Sequence, residues 1–175
     1  AEFKRISHSE EISAFLQSLA AQHTEARYEV LGKSAQGRPL DALIIARPMV
    51  KPVSEIQTSP FPAQPASSHL KVMIVGSQHG GAEPAGGEAL LVIARDLLEG
   101  DLRPLLDTLD IVLLPDANPD GRDLERRSNA NMININTDFV LMSQPESQIL
   151  AAAVRRYQPD VVLDSHESAV LKRTT

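Results

Sequence analysis

Three side chains able to hold a metal stand where apolar runs of the sequence stop. His79 lies in GSQHGGAEPAGGE, just after KVMIVG (71–76), and Glu83 follows four residues later. His166 lies in VVLDSHES, just after DVVLDS (160–165). Two imidazoles and one carboxylate, with a fourth position left for water, are the ligand set of a catalytic hydrolytic zinc site. The chain has no cysteine, so a transition metal has to be held by imidazole and carboxylate. A lone histidine at a strand end is ordinarily a solvated loop residue, which is the reading for His8, His23 and His69. The joint placement of His79, Glu83 and His166 sets these three apart.

The elements that must position them can be read from periodicity. Ser7 and Glu10 have capping-box spacing, and Ile12, Phe15, Leu16, Leu19 and Ala20 recur on one helical face, which predicts a helix over 8–23. Between Tyr28 and Ala46, two β-prone runs flank the turn-forming AQGRP and read as paired strands. Residues 48–69 hold five prolines among serines and alanines and read as a surface loop. Beyond it the rhythm becomes strand (71–76), helix (87–100), strand (110–115), helix (145–158), strand (160–165). In the second of these helices Ile149, Leu150, Ala153, Val154 and Tyr157 should face inward. Continuous apolar strands alternating with amphipathic helices predict an α/β domain with a mixed, mostly parallel sheet and helices on both faces. Its active groups belong at the carboxyl ends of the strands.

The bulk numbers exclude some functions. With 175 residues, 42% of them hydrophobic and 23% charged, the expectation is one domain with a real core. A net charge of −6 leaves no basic face for phosphates, so nucleic acid is not an expected partner. No apolar run approaches the ~20 residues of a membrane span.

Residues 118–139 read NPDGRDLERRSNANMININTDF, and here the sequence resembles the zinc carboxypeptidase (metallocarboxypeptidase) family. The resembling features run in order: a histidine and glutamate after a strand, an NPDG turn, an arginine, an Asn-Ala-Asn-type run and a second histidine after a later strand. GKSAQGRPL (32–40) is similar to the family's amino-terminal hairpin. The resemblance implies one zinc ion held by His79, Glu83 and His166. It also implies that Arg127 polarises the scissile carbonyl and stabilises its oxyanion, and that Asn136 contacts the substrate's terminal group; Arg126 reads as solvated. A zinc-activated water would cleave an amide bond in a peptide or acylated amino-acid substrate.

The chain departs from the family pattern in three places. Gly80, Gly81 and Ala82 put three residues, rather than two, between His79 and Glu83, so the loop must bulge, which two glycines make sterically easy. Glu88 is the weaker substitute, expected to face solvent. Where the family has Asp-x-Asn-Arg, the chain has Asn134, Ile135, Asn136 and Thr137. Asn134 would give His79 a neutral supporting partner, and Thr137 stands where an arginine holds a substrate carboxylate. Finally, the family's general-base glutamate lies well downstream of the second histidine, and Glu167 is not expected to take its place, since alternation points it away from His166. The expectation is thus the amino-terminal, metal-binding portion of a catalytic domain, incomplete at its C-terminal end. A deacylase or cell-wall peptide amidase on the same fold, and a degenerate homologue acting as a binding module, are the alternatives. The family habit and the missing start methionine make secretion or the periplasm the expected location, with the cytoplasm as the alternative.

Overall fold

The computed structural model describes residues 5–47 and 69–167. The proline-rich stretch expected as a loop lies, apart from His69, outside the described residues. Helix α1 (Ser9–Gln22) leads into β1 (Ala26–Lys33) and β2 (Pro39–Ile45), an antiparallel pair. Strand β3 (Leu70–Gly76), helix α2 (Ala85–Glu99), strand β4 (Leu109–Leu114), short helix α3 (Pro119–Asp123), helix α4 (Pro145–Tyr157) and strand β5 (Val161–Ser165) follow. The sheet order is β1-β2-β4-β3-β5. Strand β4 runs antiparallel to β2 and parallel to β3, and β3 runs parallel to β5, giving the expected mixed sheet.

Strand alternation divides the core between the two faces. Leu43, Ile45, Ile111 and Leu113 point to one face and pack with Ile12, Leu16 and Leu19 of α1 and Leu90, Ala94 and Leu97 of α2. Ala42, Met73, Val75, Val112 and Leu114 point to the other and pack with Leu150, Ala153 and Tyr157 of α4. Each such fully buried Leu, Ile, Val or Met side chain contributes roughly 1.5–3 kcal/mol relative to its exposed state.

Several local expectations change in the structure. The α1 cap sits one residue later than Ser7: the N-cap is His8, whose N–H donates to Glu11 at 2.9 Å. Ser7 instead donates through its N–H and its hydroxyl to Glu88, at 2.8 and 2.9 Å. Glu88 therefore faces inward, where Arg122 also reaches it, and not solvent. Val154 is exposed, because the buried stripe of α4 runs through Leu150, Ala153 and Tyr157 and leaves it on the flank. Among the described residues nothing covers both faces of strand β5, at the end of the sheet order: Val161, Val162 and Leu163 are 45%, 47% and 52% exposed. His23 and His69 are not free loop residues either, since carboxylates of Glu99 and Asp110 lie 3.0 and 3.1 Å from their rings.

Candidate metal centre

Neighbouring parallel strands bring the two histidines together. His79 follows the carboxyl end of β3 and His166 that of β5, and the two strands pair from Val72 with Val161 to Gly76 with Ser165. The rings end 4.9 Å apart between centroids, tilted by 47°.

Glu83 reaches the same place because the three residues between it and His79 form a 3-10 turn (Gly80–Ala82), which absorbs the extra residue expected to bulge. Gly80 has φ +51°, a left-handed conformation that glycine adopts without steric cost. At Gly81 a Cβ would lie 2.6 Å from Cα of Glu125, so the turn presses on the backbone that follows α3. That backbone is set by the NPDG segment. Pro119 occupies the first turn of α3 and Asn118 caps it, accepting from the Gly121 N–H at 2.9 Å. The arginine expected at the site is the next to arrive: Arg127, half-exposed, donates to Glu83 and lies 2.9 Å from Nε2 of His79.

One ligand atom from each of His79, Glu83 and His166 lies within 4.8 Å of the others, the one such grouping among the described residues. The donors fit a zinc ion. His79 is 1% exposed, yet its Nδ1 has no hydrogen-bond partner among the described residues. The Glu83 carboxylate collects the His166 ring at 3.0 Å, the Arg127 guanidinium and the backbone N–H of Glu167 at 3.3 Å. Burial pushes its pKa up, but these donors outweigh it and hold the pKa at about 2, so the carboxylate is ionised near neutral pH. Burial lowers the His79 pKa, which favours the neutral ring a metal requires. For His166, burial is outweighed by the flanking Glu83 and Asp164, and its pKa rises.

The other sequence candidates fall at varied distances. Asn136, on the 3-10 turn Ile135–Thr137, places its amide 3.5 Å from Nε2 of His79. Asn134, expected to support His79, does not do so: its side-chain oxygen caps that turn by accepting from the Asn136 N–H at 3.2 Å. Thr137 is exposed, and its hydroxyl donates to the carbonyl of Asn134 at 3.1 Å. Arg126 is exposed beside Met132, and Glu167 turns away to accept from the Ala85 N–H at 2.5 Å. Two residues were not singled out by the sequence, Gln78 and Asp164. Asp164 accepts from His166 at 2.8 Å and from Gln78 at 2.6 Å. Its two-residue spacing from His166, which places both on one face of a strand, was the available signal.

Fold and site together define an open α/β sheet protein with a His–Glu–His group, able to hold a metal, at the ends of adjacent parallel strands. The chain belongs to the zinc carboxypeptidase family, whose model matches residues 12–169. The family uses zinc, and its members are metallopeptidase-type hydrolases. Carboxypeptidase 2 of Trichophyton rubrum is 27% identical over 161 residues, covering 90% of this chain and 28% of that protein. Human carboxypeptidase D is 32% identical over 147 residues, covering 73% of this chain and 10% of that one. The chain therefore spans less than a third of either relative. Among solved structures, a metallo-carboxypeptidase from Burkholderia cenocepacia superimposes with a TM-score of 0.73 at 25% identity, over 91% of this chain and 40% of its own. Carboxypeptidase A from Helicoverpa armigera shares the fold, with a TM-score of 0.73 at 22% identity over 96% and 47% of the two chains.

Proposed function

We propose that this chain is the metal-binding portion of a zinc-dependent hydrolase that cleaves an amide bond in a peptide or acylated amino acid. The observation that carries this reading is the convergence of His79, Glu83 and His166, with Arg127 against the same cluster. Zinc in such a site acts as a Lewis acid and lowers the pKa of a bound water towards ~7. The protein's own groups do the rest. His79, Glu83 and His166 fix the ion at the strand ends. Arg127, anchored on Glu83 and half-exposed, presents its guanidinium to the carbonyl of an incoming substrate, where it stabilises developing negative charge. One such donor is worth about 100- to 1,000-fold in rate. The Asn136 amide, beside His79, is placed to meet the substrate's terminal group. Proton transfer falls to a carboxylate that the described residues do not supply at the site, since Glu167 is occupied on α2.

Thr137 favours a particular branch of this reading. A residue that is not a cation, with its hydroxyl already spent on Asn134, makes a poor clamp for a free C-terminal carboxylate. A deacylase or cell-wall peptide amidase suits it better than an ordinary carboxypeptidase. A binding module that keeps the metal without turnover is the remaining alternative. The deciding experiment is hydrolysis of acylated amino acids and cell-wall peptides by the full-length protein, with and without a chelator. Chelator-sensitive turnover that His166→Ala abolishes sustains the proposal; zinc bound stoichiometrically with no turnover on any of these substrates leaves the binding module.

A further inference from the structure

The two histidines of the cluster are supported unequally. Among the described residues His79 finds no carboxylate for the ring nitrogen that would remain after metal binding. Among the same residues its Nδ1 is without a hydrogen-bond partner, and Nε2 meets the cation of Arg127 and the neutral amide of Asn136. The ring of His166 is held at both ends: Nδ1 faces Glu83 at 3.0 Å, and Nε2 meets Oδ2 of Asp164 at 2.8 Å. The same Oδ2 accepts from Nε2 of Gln78 at 2.6 Å. Gln78 is 4% exposed and immediately precedes His79, so the bond ties the loop after β3 to strand β5 across the neighbouring strands that carry the two histidines.

Resting on the metal-site reading above, we infer that Asp164, braced by Gln78, is the carboxylate that orients His166 for zinc, so that anionic support falls on the second histidine and not the first. An imidazole whose Nε2–H is held by a carboxylate is fixed in one tautomer, with the Nδ1 lone pair directed towards Glu83 and His79. The carboxylate also raises the basicity of the ring, strengthening its bond to a metal. Gln78 supplies the aim: by donating to the oxygen that His166 uses, it keeps the carboxylate in the plane of the strand ends instead of in solvent, where a side chain one-third exposed would otherwise turn. Asp164 and Gln78 are positioning residues; neither is among the metal-holding group.

The test is a double-mutant cycle read on zinc affinity by chelator competition, with melting of the metal-free proteins as a check on folding. Asp164→Asn should raise the zinc Kd by about 10- to 100-fold, the usual effect of losing such a partner, while the metal-free melting temperature stays close to that of the parent. Gln78→Leu should raise Kd by a smaller factor. In the Asp164→Asn background it should have almost no further effect, because its contribution passes through Asp164. A parent that binds zinc while Asp164→Asn binds it equally tightly overturns this inference alone, as do two effects that simply multiply. A parent that takes up no zinc overturns the metal-site reading as well.

Discussion

Nδ1 of His166 lies 3.0 Å from Oε2 of Glu83, although 83 residues separate them in sequence. Glu83 is shared between this ring and Arg127, and it is the acidic member of the group proposed to hold the metal. Removing either side of the pair should therefore remove the metal. After dialysis against metal-free buffer, the parent should retain one zinc per chain by elemental analysis, and Glu83→Ala and His166→Ala should each retain almost none. Stoichiometric zinc in His166→Ala would show that the site has been misassigned.

Arg127 should matter for rate more than for the fold, since its side chain is half-exposed and its contacts are to the cluster itself. In the full-length enzyme, Arg127→Ala should lower kcat by about 100- to 1,000-fold. Arg127→Lys should rescue little of that, because an ammonium cannot reproduce the two-pronged contact to Glu83 and His79. A variant with normal kcat and only a raised KM would assign Arg127 to ground-state binding instead.

The strand ends were legible because VMIVG (72–76) and VVL (161–163) are apolar runs that stop just before polar residues, and such runs form adjacent parallel strands whose carboxyl ends share an edge. His79 and His166 could be placed there without knowing the register. Asp164 could not be matched to Gln78 in the same way, because that contact depends on how β3 and β5 pair, which no local pattern encodes. The inward turn of Glu88 was hidden for a similar reason: its partners Ser7 and Arg122 are 81 and 34 residues away. Asn134 does not reach His79 because a short 3-10 turn takes up its side chain as a cap, and a two-residue offset in a turn lacks the fixed face of a helix or strand, so the Asn136 amide lies beside that ring instead.

The 3-10 turn between His79 and Glu83 should tolerate no side chain at Gly81. A Cβ there would meet Cα of Glu125 at 2.6 Å and the carbonyl oxygen of Arg122 at 2.8 Å, both backbone atoms that cannot swing aside. Gly81→Ala should cost about 1–3 kcal/mol in denaturant unfolding, as overpacking usually does. It should also weaken zinc binding, since relief requires the turn that delivers Glu83 to move. Unchanged stability together with unchanged affinity would mean that the turn and the segment after α3 are not pressed together.

Below the site, Asp116 is buried, and burial pushes its pKa up to about 6 in spite of Arg122, whose Nε lies 3.3 Å away. A carboxyl with a raised folded-state pKa binds its proton more tightly in the native state than in the unfolded chain. Its contribution to stability is therefore complete below its ordinary value of 3.8 and is lost as pH rises through about 6. The loss is on the order of 3 kcal/mol. Comparing the parent with Asp116→Asn isolates this group: relative to the variant, the parent should lose stability in urea unfolding between pH 4 and pH 7. A difference that is flat with pH, or that grows in the parent's favour, would show that Arg122 outweighs burial and keeps Asp116 ionised.

Specificity should turn on Thr137. A guanidinium holds a carboxylate through two parallel charge-assisted hydrogen bonds, whereas a threonine offers one neutral hydroxyl, and here that hydroxyl already donates to the carbonyl of Asn134. Recognition of a terminal carboxylate at this position should be weaker by a few kcal/mol than with an arginine. The measurement is kcat/KM of the full-length enzyme on matched peptides ending in a free carboxylate and in a carboxamide. The parent should show little preference for the carboxylate. Thr137→Arg should gain such a preference, since residue 137 is exposed and its turn adjoins Asn136, itself 3.5 Å from His79. If the parent already prefers the free carboxylate by about 100-fold, equivalent to about 2.7 kcal/mol, another cation must fill the role, and the substitution at Thr137 does not set the substrate class.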